Sequence, residues 1–112
     1  MKGSYLGEFQ EIVLLAIMVL DNNAYGVSIQ EEIAERIGRS ISRGALHSAL
    51  TRLEKKGFLA SRMGGATAER GGRQKRFYDL TRKGREALYY ARQLRQQFYN
   101  TLPDDLLNVS NA

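Results

Sequence analysis

The sequence contains no cysteine and no tryptophan, and it has only one histidine and one proline. Without cysteine and with one histidine, it cannot form a disulfide or the usual His and Cys zinc cluster. The longest apolar run, residues 12–20, has nine residues, whereas a membrane span needs about 20. Glu8 and Glu11, just before this run, carry the wrong charge for a secretory signal peptide. We therefore expect a cytoplasmic protein with no membrane segment, metal or cofactor.

Positive charge is present in excess and is concentrated in one part of the chain. The 112 residues include 17 Lys and Arg against 12 Asp and Glu, for a net charge of +5. Residues 1–38 are acidic overall, whereas residues 39–95 hold fifteen Lys and Arg against four Asp and Glu. Such a basic block favours a polyanionic partner, and a merely solvated basic surface is the other interpretation. The length fits a single domain with a small core, which dimerisation would stabilise.

The first predicted helix is apolar on both sides. One face has apolar residues at helical spacing, and the opposite face is apolar too. The first set is Phe9, Ile12, Val13, Ala16, Ile17 and Leu20, and the second is Leu14, Leu15, Met18 and Val19. A second subunit would cover the second face, and the alternative is that other helices of the same chain suffice. Asp21, Asn22 and Asn23 then predict a turn.

Two further helices follow, joined by a short turn. The second runs from Tyr25 or Gly26 to Ile37 and stops at Gly38. Its inner residues are Ile29, Ile33, Ala34 and Ile37. The third begins at Arg43 after an N-cap at Ser42, ends at Gly57, and has an inner stripe of Leu46, Ala49, Leu50 and Leu53. Ile41 is expected to pack on Leu46 as a hydrophobic staple. Two such helices, the second one basic, form the helix-turn-helix pattern.

A β-hairpin and a last helix complete the predicted fold. Residues 58–63 and 76–80 read as strands around a basic loop, residues 64–74, with four glycines. Thr81 is expected to cap a helix that Pro103 ends, followed by a loose tail. The predicted fold is mostly α with a small β-hairpin: a winged helix-turn-helix at 1–81, a C-terminal dimerisation helix at 82–102, and a tail at 103–112.

The third helix and the loop carry the candidate DNA-binding residues. The outward face of the helix holds Arg43, His47, Ser48, Thr51, Arg52 and Lys55, and the loop holds Arg70, Arg73 and Lys75. An α-helix fits the major groove, where Arg, Ser and Thr can bond base edges or phosphates. Loop cations displace counterions and add affinity without sequence preference. Each signal alone is compatible with a solvated face or a flexible connector, and their succession favours DNA binding.

At this point the sequence resembles the PadR-type transcriptional regulators. The resemblance runs from Gly7 to about Leu88 and rests on four stretches. They are GEFQEIVLLAI (7–17), AYGVSIQEEI (24–33), SRGALHSALTRLEKKGFLASR (42–62) and ERGGRQKRFYDLTRKGREAL (69–88). Membership would imply a winged-helix homodimer, usually a repressor, that grips a palindromic operator in double-stranded DNA through the third helix and the wing.

The resemblance also implies which residues contact DNA and where the chain departs from the family. The implied contacts are Arg43, Ser48, Thr51 and Arg52 of the helix and Arg70, Gly72, Arg73 and Lys75 of the wing. Where this chain has His47, the family commonly has Tyr, so a DNA contact from that position stays open. The short C-terminus resembles relatives whose last helix pairs with the partner's first-helix region.

That pairing gives the candidate dimer-interface residues. They are Phe9, Ile12, Leu88, Ala91, Leu94 and Phe98, with Tyr89, Tyr90 and Tyr99 as further candidates because aromatic residues are enriched in interface centres. The alternative is that Phe98 packs on its own domain. Relatives respond to phenolic or drug-like compounds, and some use tryptophan, which this chain lacks. A small-molecule effector bound through Tyr5, Phe9, Tyr89 or Phe98 stays open.

Other function classes have weaker support. A winged helix can also bind RNA or another protein, because a fold does not determine a function. We expect no catalysis, since the sequence has no nucleophile beside a base, no phosphate-binding glycine loop after a strand, and no paired carboxylates.

Overall fold

The computed structural model describes residues 6–64 and 74–108, and its element order is the predicted one. Four helices and one hairpin account for most of these residues: α1 Glu8–Leu20, α2 Gly26–Ile37, α3 Arg43–Lys55, β1 Leu59–Gly64, β2 Lys75–Leu80 and α4 Arg82–Thr101. Two short 3-10 turns lie at Asp21–Asn23 and Asp104–Leu107. The mostly helical fold with a small antiparallel hairpin is therefore confirmed.

The predicted helix boundaries follow from local chemistry. Ser42 and Thr81 are N-caps, and the hydroxyl of each accepts the backbone N–H three residues later at 3.0 Å. Gly38 ends α2 in the left-handed conformation with φ of 70°, which glycine adopts without steric cost. Gly57 has φ of 84° in the turn after α3. Hydroxyl caps and positive-φ glycines thus confirm these predicted starts and stops.

The core lies between the first three helices, the base of the hairpin and the start of α4. Its largest fully buried side chains are Leu14, Ile17, Ile29, Ile33, Leu53 and Val13. The stripe predicted for α3 is buried along its whole length, namely Leu46, Ala49, Leu50 and Leu53. Among the described residues, no buried side-chain polar atom lacks a hydrogen-bond partner. The core is thus an apolar interior, and the residues that α3 turns outward are polar except for Gly44 and Ala45.

Two apolar residues lie on the opposite side from the predicted one. Leu14, which was expected on the outer face of α1, is fully buried. The reason is that α1 packs against α2, α3 and α4, so its buried arc is wider than one face. Ile37, expected inside, is 39% exposed because it is the last residue of α2.

The hairpin forms with strands close to the predicted ones. Antiparallel pairing runs from Leu59 opposite Leu80 to Gly64 opposite Lys75. Phe58, predicted to be the first strand residue, instead lies in the turn between α3 and β1, where it is buried. The hairpin base therefore belongs to the core, and its open end leads to the segment 65–73.

Helix α4 contacts the core only at its beginning. Its buried residues are Gly84, Ala87 and Leu88. A Cβ on Gly84 would lie 2.1 Å from the carbonyl oxygen of Phe58, so the close approach of α4 to the turn before β1 requires glycine.

The Cα radius of gyration is 16.8 Å, which is larger than the roughly 13 Å typical of a compact chain of this length. Within the predicted tail, Asp104–Leu107 form a 3-10 turn.

Candidate nucleic-acid interface

The outward face of α3 presents a continuous polar and cationic surface. Every residue predicted to face outward is exposed: Arg43, His47, Ser48, Thr51, Arg52 and Lys55. The opposite face of the helix is buried against the core, which fixes the orientation of α3 about its own axis. The six side chains therefore project together into solvent.

Contacts at both ends hold α3 in place. Before the helix, the Gln30 side chain of α2 donates a 2.7 Å hydrogen bond to the carbonyl oxygen of Ile41. After the helix, the Lys56 ammonium donates to the Gln10 side chain of α1 at 3.2 Å. Ile41 also packs against the core cluster. The outward face is thus carried by a helix whose ends are tied to both preceding helices.

A cleft of about 420 Å³ is lined by α3, by β2 and by the first half of α2 together with Tyr25. Arg43 and His47 line one side, and Lys75 and Arg76 line the other. Its lining also includes Tyr78, whose pKa is raised by burial, an effect that Arg76 opposes and Glu54 reinforces. Cationic side chains from the helix and from the hairpin therefore line one shared cleft.

A polar relay connects the hairpin to the end of α3. The guanidinium of Arg76 donates a 3.0 Å hydrogen bond to the Ser61 hydroxyl. That hydroxyl donates to the Glu54 carboxylate at 2.8 Å. Across the strands, Arg62 and Asp79 form an ion pair at 3.3 Å. These hydrogen bonds connect β2 to β1 and β1 to the end of α3.

The sequence prediction did not include two aromatic residues beside the cleft, Tyr25 and Phe77. The Lys75 ammonium lies 4.2 Å from the centre of the Tyr25 ring, which packs edge-on against Phe77 at 5.4 Å between centroids. These residues are about 50 positions apart in the chain. The β-forming residues Phe77 and Tyr78 indicated a strand, but nothing in the local pattern indicated the contact of Phe77 with Tyr25.

The tip of the wing falls outside the part of the chain that the structure describes. Arg70, Gly72 and Arg73, all predicted DNA contacts, belong to residues 65–73, and those contacts stay predictions. Lys75, the first residue of β2, is the predicted wing contact that the structure describes, and it is exposed.

Comparison with known proteins identifies the family. Residues 14–89, more than half of the chain, match the model of the transcriptional regulator PadR-like family. The chain belongs to this family. No curated protein matches the sequence.

Solved PadR structures share the fold. A PadR family transcription regulator from Clostridium difficile superposes with a TM-score of 0.68 at 22% identity, covering 89% of this chain and 99% of that one. A PadR-like regulator from Bacillus cereus gives 0.69 at 18% identity, covering 89% and 92%. A third, from Eggerthella lenta, gives 0.66 at 24% identity, covering 92% and 88%. The PadR-like chain therefore has their winged-helix fold, and its family is one of transcriptional regulators.

This PadR-like chain has a second distinctive surface, which we call the α1–α4 face. It consists of half-exposed apolar side chains that line one groove: Leu15 and Met18 of α1, and Tyr89 and Tyr99 of α4. Val19 of α1 and Leu94 and Phe98 of α4 are exposed elsewhere on the two helices. The described part of the chain leaves these residues about half exposed, so cover of this side of α1 by a second subunit stays a prediction. Phe98 is 69% exposed, which excludes the alternative that it packs on its own domain.

The other predicted interface residues lie at different depths. Phe9 and Ile12 are half-buried and pack against the core, and Ala91 is half-buried on α4. Leu88 is only 8% exposed, so little of its surface remains for a partner. Tyr89 and Tyr90 pack edge-on with ring centroids 5.4 Å apart. Phe98, Tyr89 and Tyr99 are the most accessible of the predicted interface residues, followed by Leu94.

A groove of about 500 Å³ runs along the α1–α4 face. Its apolar lining includes Leu15, Met18 and Tyr89, and its cationic lining includes Arg85 and Arg92. At one end, the Arg95 guanidinium donates a hydrogen bond to the Glu11 carboxylate, which raises the pKa of Arg95. This ion pair links α1 to the middle of α4.

Within residues 6–64 and 74–108, no helix is both long and apolar enough to span a membrane. The same ranges contain no cluster of His, Asp and Glu side chains able to hold a metal ion.

Proposed function

We propose that this protein is a cytoplasmic transcriptional repressor that binds a palindromic operator as a homodimer. The observation that carries the proposal is the α3 surface: a buried apolar stripe behind, and six exposed polar or cationic side chains in front. A helix of this kind fits the major groove of B-form DNA, which is about 12 Å wide. Family membership supports the same function, since the family is one of transcriptional regulators.

The α3 residues divide by role in this proposal. Arg43, His47, Ser48, Thr51 and Arg52 enter the major groove, where Arg can bridge two acceptors of guanine and Thr can bond a base or a phosphate. Lys55, at the end of the helix, contacts the phosphate backbone. Within each subunit, α3 supplies the sequence preference.

The wing supplies affinity without sequence preference. Lys75 lies across the cleft from Arg43 and His47, so it can bind the phosphates that border the groove occupied by α3. Arg70, Gly72 and Arg73 extend the same contact. Each cation displaces condensed counterions, which makes the affinity depend on salt.

The α1–α4 face supports the homodimer. Its exposed apolar residues are aromatic or long aliphatic side chains, which are enriched where proteins bind one another. A two-fold dimer presents two copies of α3 to the same side of a duplex, and such dimers bind half-sites about 34 Å apart. Two-fold symmetry of the protein then requires a palindromic operator.

Footprinting the purified protein on genomic DNA tests the proposal. We expect protection of a small number of palindromic sites that overlap promoters, with a preference over random DNA that survives physiological salt. Transcription from those promoters should rise when the gene is deleted. A protein that binds random DNA alone, or that structured RNA displaces from its best DNA fragment, would contradict the proposal.

A further inference from the structure

Tyr25 joins the helix-turn-helix to the wing through its backbone. It directly precedes α2, and its backbone pairs with Phe77 of β2 as an isolated antiparallel bridge. The neighbouring Tyr78 N–H donates to the carbonyl oxygen of Ala24 at 2.8 Å. The Tyr25 N–H itself donates to the Ser28 hydroxyl at 2.9 Å. Its ring is therefore attached to backbone that is held on both sides.

Cations and rings alternate along this junction. The Lys75 ammonium lies 4.2 Å from the centroid of the Tyr25 ring. Tyr25 meets Phe77 at an interplanar angle of 66°, and the Arg62 guanidinium lies 5.0 Å from the Phe77 centroid. Edge-on ring packing and a cation over a ring face are both attractive because the ring carries negative charge on its face and positive charge at its edge.

The contact restricts a side chain that is otherwise flexible. A lysine has four rotatable bonds, and ordering them opposes binding. Lys75 is exposed, and the Tyr25 ring holds its ammonium beside the cleft that Arg43 and His47 line on the other side. An ammonium has three donors, so it can rest on the ring and still donate to a phosphate.

We propose that Tyr25 is a positioning residue for DNA binding, whose ring holds the Lys75 ammonium on the side of the cleft that faces α3. Lys75 and the cations of α3 then contact the same stretch of phosphate backbone without a prior search of lysine conformations. The inference rests on the proposed function, because it assigns Tyr25 a role through a DNA contact of Lys75. Tyr25 itself does not read a base in this arrangement.

A double-mutant cycle on DNA affinity tests the coupling. The variants are Tyr25→Leu, Lys75→Met and the two combined, and the probe is a duplex that the wild-type protein selects from random-sequence DNA. We expect Lys75→Met to raise the Kd for DNA. The factor by which it raises Kd should be about threefold smaller in the Tyr25→Leu background than in the wild type, as an exposed cation–π contact implies. Tyr25→Phe keeps the ring and should bind as the wild type does.

A second measurement needs no DNA. In the free protein, the ring current of Tyr25 should shift the ε-methylene proton signals of Lys75 upfield. The shift should persist in Tyr25→Phe and disappear in Tyr25→Leu. Equal thermal unfolding of the folded variants separates this local change from a general loss of structure.

The possible failures can be told apart. If Lys75→Met leaves DNA affinity unchanged, the proposed phosphate contact is wrong and the role of Tyr25 falls with it. If Lys75→Met weakens binding but the two substitutions act additively, the DNA contact stands and the positioning role alone is overturned. An unshifted Lys75 signal in the wild-type protein overturns the positioning role in the same way.

Discussion

Helices α3 and α4 are built alike but meet their surroundings differently. Each begins at a hydroxyl cap and carries several cationic residues. Helix α3 buries its apolar stripe from Leu46 to Leu53, so its exposed side chains are polar except for the small Ala45. Helix α4 buries its first two turns and leaves Leu94 and Phe98 exposed further along. The domain thus buries the apolar side of α3 along its whole length, whereas it buries the apolar side of α4 only in the first two turns.

The difference separates two kinds of binding surface. A polar, cationic face with its apolar side already covered suits a hydrated polyanion, because binding does not require it to hide apolar area. An exposed apolar face gains free energy when it is removed from water, so it suits a protein surface. In our proposal, α3 therefore meets DNA and α4 meets a second copy of the chain.

The largest expected effect concerns the one part of α4 that belongs to the core. Replacing Gly84 with Ala places a Cβ against the Phe58 carbonyl, and we expect it to destabilise the protein by about 3 kcal/mol. The matched control is Gly44→Ala in α3, where no neighbouring atom lies within 4 Å. The control should be neutral or stabilising by up to about 1 kcal/mol. Denaturant unfolding at one protein concentration measures both, and equal stability would contradict the close packing of α4.

The next effect concerns the exposed half of α4. Phe98→Ala should weaken the dimer by about 2 kcal/mol, or roughly 30-fold in Kd, because the proposed dimer buries this ring, which is exposed in the single chain. Its neighbour Gln97 is polar and exposed, so Gln97→Ala serves as the control with little change. Sedimentation equilibrium measures both constants. A variant that associates as tightly as the wild type would show that Phe98 lies outside the interface.

The two proposed roles in DNA binding can be separated by substitutions in α3 and the wing. Thr51→Ala or Arg52→Ala should change the preference among operator sequences by about 1–3 kcal/mol at one base pair. Arg73→Ala or Lys75→Ala should weaken binding to all sequences alike. The slope of log binding constant against log salt concentration should become shallower by about one unit per lost phosphate contact. Binding titrations on operator variants at several salt concentrations measure both effects. Identical behaviour of the two sets would refute the division of roles.

The smallest effects concern the two caps with which the helices begin. Ser42→Ala removes one hydrogen bond to the helix end and should cost about 0.5–1 kcal/mol of stability. Thr81→Ala should cost somewhat more, since the Thr81 hydroxyl also donates to the carbonyl oxygen of Gly57 at 2.6 Å. Thr81→Ser keeps both hydrogen bonds and should restore most of the loss. Thermal unfolding in the same buffer compares the three, and an unaffected Thr81→Ala variant would contradict the second bond.

Features with local causes were predictable from the sequence. Each of these features depends only on residues within about a dozen positions of itself. They are the Ser42 and Thr81 caps, the left-handed Gly38 and the buried stripe of α3. Helical spacing and turn chemistry act over that range, so these predictions were confirmed. Exposure of the α3 cations followed directly, because a helix with one face buried turns the other outward.

Features that depend on packing between distant segments were missed or wrong. The position of Leu14 depends on how many helices surround α1, which its own pattern does not report. The contact of Tyr25 with Lys75 and the relay from Arg76 through Ser61 to Glu54 join residues that no local spacing relates. The roles of the DNA and interface residues stay predictions that the proposed experiments test.

The amino-acid sequence by itself determined where each helix starts, which side of α3 is apolar and where positive charge accumulates, since these follow from short-range periodicity and composition. Only the tertiary structure decided that the cations of α3 and β2 share one cleft and that α4 leaves the core after Leu88. The physical reason is that packing depends on the shapes of surfaces brought together from distant parts of the chain.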